Sequence, residues 1–564
     1  MASNIKYHDK PWLAHYDQGV PEKIAYEPIC LPEYLEQSVN KFPERTALLL
    51  DGFKISYRQL NEMVNRFATC MKAFGIQKGD RIALLLPNVI PCIVSYYAIM
   101  KIGAIAVMNN PTGSDSELQY QLSNSGAKAL ITLDLFVERM VQLRSKTAVK
   151  HIVYTTLGDY LPFLTSISFV AFSKTKRLST KVSHADDVHR WKDLMADYPP
   201  EPVDTRLAFD DIAMLQYTGG TTGIQKGVML SHGNLSCQIQ QINAWFPTFA
   251  ESDEIILGAL PFFHSFGLTC AMNNAIFAGW ENVLVPKPTP ENILAAIRKF
   301  KPTFAPLVPS MYISMINHPD IQKTDLTSIK GCFSGSAPLP VDVIRRFEGL
   351  TGAAISEGFG LTEASPITHA NPFQGKRKVG SVGLPFPDTD CRIVDLENGV
   401  TEMPVGEIGE LIVKGPQIMK GYWNQSQETA ETLRDGWLHT GDIAKMDEQG
   451  YFYIVDRKKE MIITSGFNVY PREIDEVLYR HPKVQEACAI GIPHPVRGEQ
   501  IKVFVVLHEN ETVREEELLN YCKDKMAAYK LPTRIEFRKE LPKSNVGKVL
   551  RKVLRDEELA RHRK

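Results

Sequence analysis

The sequence predicts an α/β protein: a large N-terminal part in which sheets are covered by helices, with a small β-rich portion, followed by a small, separate C-terminal α+β unit. Three observations predict it. Short apolar runs at 81–86, 104–108, 129–132 and 151–154 read as buried strands, and helix-like segments separate several of them. From Gly406 to Ile463 the pattern turns hairpin-like, with strands at 409–413 and 451–455 and Gly and Asp between them. The last hundred or so residues form their own alternation: a helix at 471–479, strands at 487–492 and 502–507, and a helix at 515–525.

A chain of 564 residues is long enough for more than one domain. The join is expected at Asp456-Arg457-Lys458-Lys459-Glu460, a charged stretch between two apolar strands that reads as a plain surface turn or, more sharply, as a domain hinge, giving units of 1–458 and 459–564. The longest uncharged run, 82–100, is interrupted by Pro87, Asn88 and Pro91, so it reads as a strand, a turn and a buried helix and not as a membrane span. The N-terminus is polar and carries no secretory signal. Residues 160–173 are uncharged and rich in Phe, Leu and Ile, and Lys174, Lys176, Arg177 and Lys181 follow. That is a surface insertion or, more sharply, a peripheral membrane contact through 160–181.

Lys plus Arg is 64 and Asp plus Glu is 65, so nothing in the net charge of −1 favours a nucleic-acid partner. The nine cysteines are dispersed without a CxxC pair, which argues against a zinc ribbon or a redox dithiol and suits small buried hydrophobes in a reducing, cytoplasmic setting.

The chemistry concentrates behind an apolar strand at 212–215. Within 217–226 stand Thr218, Gly219, Gly220, Thr221, Thr222, Gly223 and Lys226. Glycines let successive backbone N–H groups converge on one point, and such a nest binds phosphate; threonine hydroxyls add donors or a metal ligand, and the lysine adds charge. No Gly-Lys-Ser/Thr triplet exists, so this is not a Walker A loop. An ordinary strand-to-helix loop is the plain alternative.

This loop resembles the phosphate loop of the adenylate-forming superfamily, which includes acyl-CoA synthetases, peptide-synthetase adenylation domains and firefly-type luciferases. Further motifs of that family follow in its order: Pro261-Phe262-Phe263-His264, Ser334-Gly335-Ser336-Ala337-Pro338, Gly358-Phe359-Gly360-Leu361-Thr362-Glu363, Thr440-Gly441-Asp442, Asp456-Arg457-Lys458-Lys459-Glu460, Ser465-Gly466-Phe467-Asn468 and Pro542-Lys543-Ser544-Asn545-Val546-Gly547-Lys548. The resemblance covers nearly the whole chain and implies a carboxylic acid activated by ATP as an acyl adenylate, with Mg²⁺, and then passed to coenzyme A.

Site roles follow residue by residue from the resemblance. Glu363 and Thr218 are the expected Mg²⁺ ligands, since Mg²⁺ takes oxygen donors and bridges phosphates. Phe359 is placed to stack on adenine, where relatives usually carry Tyr or Trp, and Gly335, Ser336, Ala337 and Pro338 line its other side. Asp442 resembles the residue that accepts both ribose hydroxyls, and a carboxylate can take both. Arg457 resembles a second ribose or phosphate contact. Lys548 resembles the lysine that touches the carboxylate and α-phosphate during adenylation. His264 is expected at the wall between the acid and the pantetheine tunnel, as an element of shape and polarity and not as a base. Ser465, Gly466 and Phe467 are expected to reach the pantetheine channel once the small unit rotates about Lys459.

A Tyr-Thr-Gly-Gly opening, the stretch at 159–163 and Lys10-Pro11-Trp12 resemble the long-chain fatty acyl-CoA ligase branch. Aryl or alicyclic acids, a carrier protein as acyl acceptor, and a luciferase-like oxidation remain open on the same frame. A homodimer is a further expectation from the family.

Overall fold

The computed structural model describes residues 5–161, 182, 187–218, 225–249, 251, 253–544 and 547–562. The phosphate-loop residues Gly219, Gly220, Thr221, Thr222 and Gly223 lie outside them, and so does the 160–181 segment apart from Tyr160 and Leu161.

The protein is a mixed α/β chain with a large N-terminal part and a smaller β-rich C-terminal part. The apolar runs become parallel neighbours in one eight-stranded sheet. In spatial order its strands are Gly421–Tyr422, Lys226–Ser231, Ile212–Thr218, Ile105–Met108, Arg81–Leu85, Ala129–Leu133, His151–Thr155 and Val188–Arg190. Strands buried on both faces can be apolar throughout, which is why these runs do not alternate. The uncharged run splits as expected into the strand Arg81–Leu85 and the helix Ile90–Lys101, every residue of which is buried. A helix apolar all round has to sit inside the protein, and here it packs on the helix Tyr57–Ala73.

A second, nine-stranded sheet contains Phe304–Leu307, Gly331–Ser334 and Ala354–Gly360 as parallel neighbours. Next comes an antiparallel sheet of Asp390–Val394, Gly409–Lys414, Trp437–Met446, Leu433–Arg434 and Phe452–Arg457. It begins with Asp390, earlier than the composition shift at Gly406, because Asp390–Val394 pairs with Gly409–Lys414 across a loop that interrupts the pattern.

The C-terminal part has its own sheet, with Gly498–Leu507 inside it and Val484–His494 at its edge, and with the helices Pro471–Tyr479 and Glu515–Lys523 against it. Among the described residues, no apolar cluster has members on both sides of 457–461. The largest runs from Tyr7 to Phe452, and two others lie within 462–554. All nine cysteines are buried and unpaired. Among the described residues no helix is long and apolar enough to cross a membrane.

Candidate active site

The strands Ile212–Thr218 and Lys226–Ser231 are antiparallel, so the phosphate-loop segment joins two strands and not a strand to a helix. Thr218 and Lys226 face each other across its mouth. Lys226 Nζ lies 4.8 Å from the centroid of the Tyr422 ring, a cation–π distance. The Tyr422 hydroxyl donates to Glu363 Oε1 at 2.9 Å, and Met419 N–H donates to the Glu363 carbonyl at 2.8 Å. Tyr422 is 6% exposed and stands on a two-residue strand paired with Met229 and Val228. Three residues far apart in sequence, Lys226, Glu363 and Tyr422, thus form one cluster. Burial raises the Glu363 carboxyl above its usual range, and the Tyr422 hydrogen bond and Arg457 oppose that rise. Among the described residues no group of three or more His, Cys, Asp or Glu could hold a metal. Glu363 and Thr218 supply hard oxygen donors of the kind Mg²⁺ takes alongside phosphate, so the residues present fit that ion.

The Gly335–Pro338 loop follows the strand Gly331–Ser334, and the Gly358–Glu363 motif runs from the end of its parallel neighbour Ala354–Gly360 into the turn beyond, with Ser334 opposite Glu357. Loops at the carboxyl ends of parallel strands are where α/β sheets bind ligands. Gly335 is buried against Phe266, while Ser336, Ala337 and Pro338 are exposed. Phe359 is half-buried. Gly360 is required by close approach: any Cβ there would overlap the Pro366 carbonyl, to which Leu361 N–H donates at 2.8 Å. The Thr362 and Ser265 hydroxyls lie 3.2 Å apart. Glu357, not foreseen from sequence, accepts Leu339 N–H at 3.2 Å and so ties down the far end of the Gly335–Pro338 loop; burial pushes its carboxyl up to about 7.

The third group surrounds Asp442. This residue is 5% exposed and lies opposite Arg457 on paired strands, with Arg457 Nε 3.4 Å from Oδ1. Thr440 Oγ1 donates to the Leu411 carbonyl at 2.7 Å and accepts Asp442 N–H at 3.1 Å, which fixes the Thr440-Gly441-Asp442 turn. Lys548 joins this group from the C-terminal part. Burial, then the neighbouring Arg457, bring its ammonium down to about 8, against the pull of Asp442 and Glu460. Its segment is folded locally, with Ser544 N–H bonded to the Lys548 carbonyl at 2.8 Å. The segment also touches the large part directly: Gly547 has φ +75°, and a Cβ on it would overlap Ser310 Oγ at the start of the helix Pro309–Ile316.

His264 is half-buried; its Nδ1 accepts Phe266 N–H at 3.3 Å, which leaves the ring proton on Nε2. Burial pushes its pKa down to about 4, so the imidazole is neutral at physiological pH. A π-helical turn, Gly267–Asn273, follows it, and Gln216 donates to the Phe263 carbonyl at 2.8 Å, linking this wall to the phosphate-loop strand. Ser465, Gly466 and Phe467 lie apart from the three groups. Ser465 and Gly466 form the exposed two-residue tip of a hairpin, with φ of +51° and +82°, and the exposed Phe467 opens its second strand. Ser465 N–H donates to the Arg497 carbonyl, and Phe467 stacks on Tyr529 at 4.6 Å, both within the C-terminal part.

Residues 35–423 match the AMP-binding enzyme family and residues 473–548 match the AMP-binding enzyme C-terminal domain. The chain belongs to the AMP-binding enzyme family. It is 44% identical over 556 residues to a long-chain-fatty-acid–CoA ligase of Bacillus subtilis, covering 98% of this chain and 99% of the relative. Among solved structures it resembles ATP-bound MatB from Rhodopseudomonas palustris, with TM-score 0.81 and 30% identity over 94% of this chain and 99% of that one. It also resembles the anthranilate CoA ligase AuaEII with anthranoyl-AMP, with TM-score 0.84 and 27% identity over 99% of this chain and all of that one.

Proposed function

We propose that the protein is an AMP-forming acid–thiol ligase that converts a medium- or long-chain fatty acid, ATP and CoA into acyl-CoA, AMP and diphosphate. The observation that carries this reading is the pairing of the buried Asp442 with Arg457, 3.4 Å apart on paired strands, with the charge of Lys548 from the C-terminal part bearing on both. In the first step the acid's carboxylate oxygen attacks the α-phosphorus and diphosphate leaves. Lys548 neutralises charge as it develops there, Asp442 accepts the ribose hydroxyls, Arg457 assists, and Phe359 stacks on adenine. The 218–226 loop cradles the outer phosphates. Mg²⁺, held by Glu363 and Thr218, would neutralise phosphate charge.

In the second step the CoA sulfur attacks the acyl carbonyl and AMP leaves. An adenylate is already activated and a thiol is a strong nucleophile, so no protein nucleophile is required. Neutral His264 acts as a wall. The units are 1–458 and 459–564, and rotation near Lys459 withdraws Lys548 and brings Ser465, Gly466 and Phe467 to the CoA channel. Peripheral membrane contact through 160–181 and a homodimer are secondary parts of the reading, tested by vesicle co-sedimentation and light scattering.

The deciding experiment is diphosphate release across a panel of carboxylic acids, with and without CoA. Fatty acids should release diphosphate and, with CoA present, give thioester. Release with no acid at all, or adenylate that CoA never consumes, would overturn the assignment.

A further inference from the structure

The two parts are joined by more than the link at 457–461. The helix Pro471–Tyr479 begins beside the last strand of the large part, Phe452–Arg457. Arg472 lies in its first turn. Its backbone N–H donates to Asp456 Oδ2 at 2.8 Å, and its Nη1 donates to the Ile454 carbonyl at 2.7 Å. Glu476, one turn on, holds the guanidinium Nε at 2.9 Å. Asp456 is 5% exposed, and its other oxygen accepts Arg457 N–H at 2.7 Å.

One buried carboxylate therefore serves both parts. It satisfies a free N–H in the first turn of the C-terminal helix, and it fixes the backbone of Arg457, a member of the charge group around Lys548. Helices ordinarily take such a cap from the residue just before them. Here the preceding Tyr470 makes no side-chain cap bond. A helix that borrows its cap from another unit is tied to that unit in one orientation. Arg551 binds Glu460 within the link at 3.0 Å, and beyond the link the Ala489 carbonyl at 2.8 Å and Asp475, so it holds the Lys548 segment to the C-terminal unit, while its charge also bears on Asp456.

We propose that Asp456 and Arg472 form a clasp between the two units that positions Lys548 for adenylate formation and opens for acyl transfer. Both are positioning residues, acting through the placement of Lys548. The inference rests on the two-step reading above. Arg472 also helps to oppose the burial-driven rise of the Glu357 carboxyl, so its charge faces the loop that carries Leu339 as well.

The test uses the full chain with Arg472→Ala, Arg472→Lys and Asp456→Asn. Single-turnover adenylation is measured from fatty acid and ATP, transfer is measured from supplied acyl-AMP and CoA, and trypsin cleavage is timed at Arg457, Lys458 and Lys459. Arg472→Ala should slow adenylation about tenfold, the effect of one charge-assisted hydrogen bond, leave transfer unimpaired and speed cleavage of the link. Arg472→Lys keeps one donor and should recover part of the loss. Asp456→Asn keeps an acceptor without the charge and serves if the alanine variant does not fold. Equal slowing of both half-reactions, or unchanged adenylation with unchanged cleavage, overturns the clasp. If the wild type adenylates no acid at all, the proposed function fails, and the cleavage comparison alone still decides the clasp.

Discussion

At the scale of single residues, Lys548 carries the sharpest expectation. Lys548→Ala should cut adenylation about 10²–10³-fold, the loss typical of one preorganised transition-state donor, while thioester formation from supplied acyl-AMP survives. Equal loss in both half-reactions would contradict the role. Burial and Arg457 hold the Lys548 pKa near about 8. The ammonium is therefore charged below that pH, and adenylation kcat/KM should fall as pH rises through it; Lys548→Arg should remove that limb. Tyr422 is the residue the sequence did not offer. Tyr422→Phe deletes the hydroxyl that holds Glu363 and keeps the ring under Lys226. The Mg²⁺ midpoint for adenylation should rise, by up to about tenfold for one hydrogen bond to a charged group, with saturated KM for ATP unchanged. Coincident Mg²⁺ titrations, followed in parallel by direct Mn²⁺ binding, would show that the Tyr422 hydroxyl does not position a metal ligand.

At the scale of elements, the hairpin Ile462–Thr464 to Phe467–Val469 has a tip that needs two residues at positive φ. A β-branched side chain at Gly466 is strained there by roughly 1–3 kcal/mol. The tip is remote from Lys548 in the contacts it makes, so Gly466→Val should leave acyl-AMP formation intact and slow transfer to CoA in single-turnover kinetics. A variant that transfers normally would take this hairpin out of the CoA channel. The tip was legible in sequence only as a motif. Its exposure follows from the short strands beside it, with Phe467 stacked on Tyr529 and Ser465 N–H bonded to the Arg497 carbonyl.

At the scale of the whole molecule, the proposed fatty-acid substrate sets an expectation for chain length. An apolar tunnel gains up to about 0.8 kcal/mol for each buried CH₂, so kcat/KM across saturated acids should climb until the tunnel ends. A sharp optimum on benzoate or a cyclic acid would defeat the fatty-acid reading and leave the reaction class standing.

The sequence by itself determined the strands and the buried helix. Runs such as Ala129–Leu133 and Ile90–Lys101 can be apolar throughout only if both faces are covered, and that burial is written into composition. For the site it supplied expectations, because Thr218, Glu363, Asp442, Arg457 and Lys548 each sit in a short motif. The tertiary structure alone decided which of these residues meet. Tyr422 reaches Glu363 across 59 residues of chain, and Asp456 caps a helix whose Arg472 lies 16 residues on, in the C-terminal part. Neither contact leaves a periodic trace, since a single hydrogen bond between distant elements constrains one side chain at each end. The start of the antiparallel sheet at Asp390 escaped for the same reason: pairing over a long loop is fixed by the partner strand and not by the residues between them.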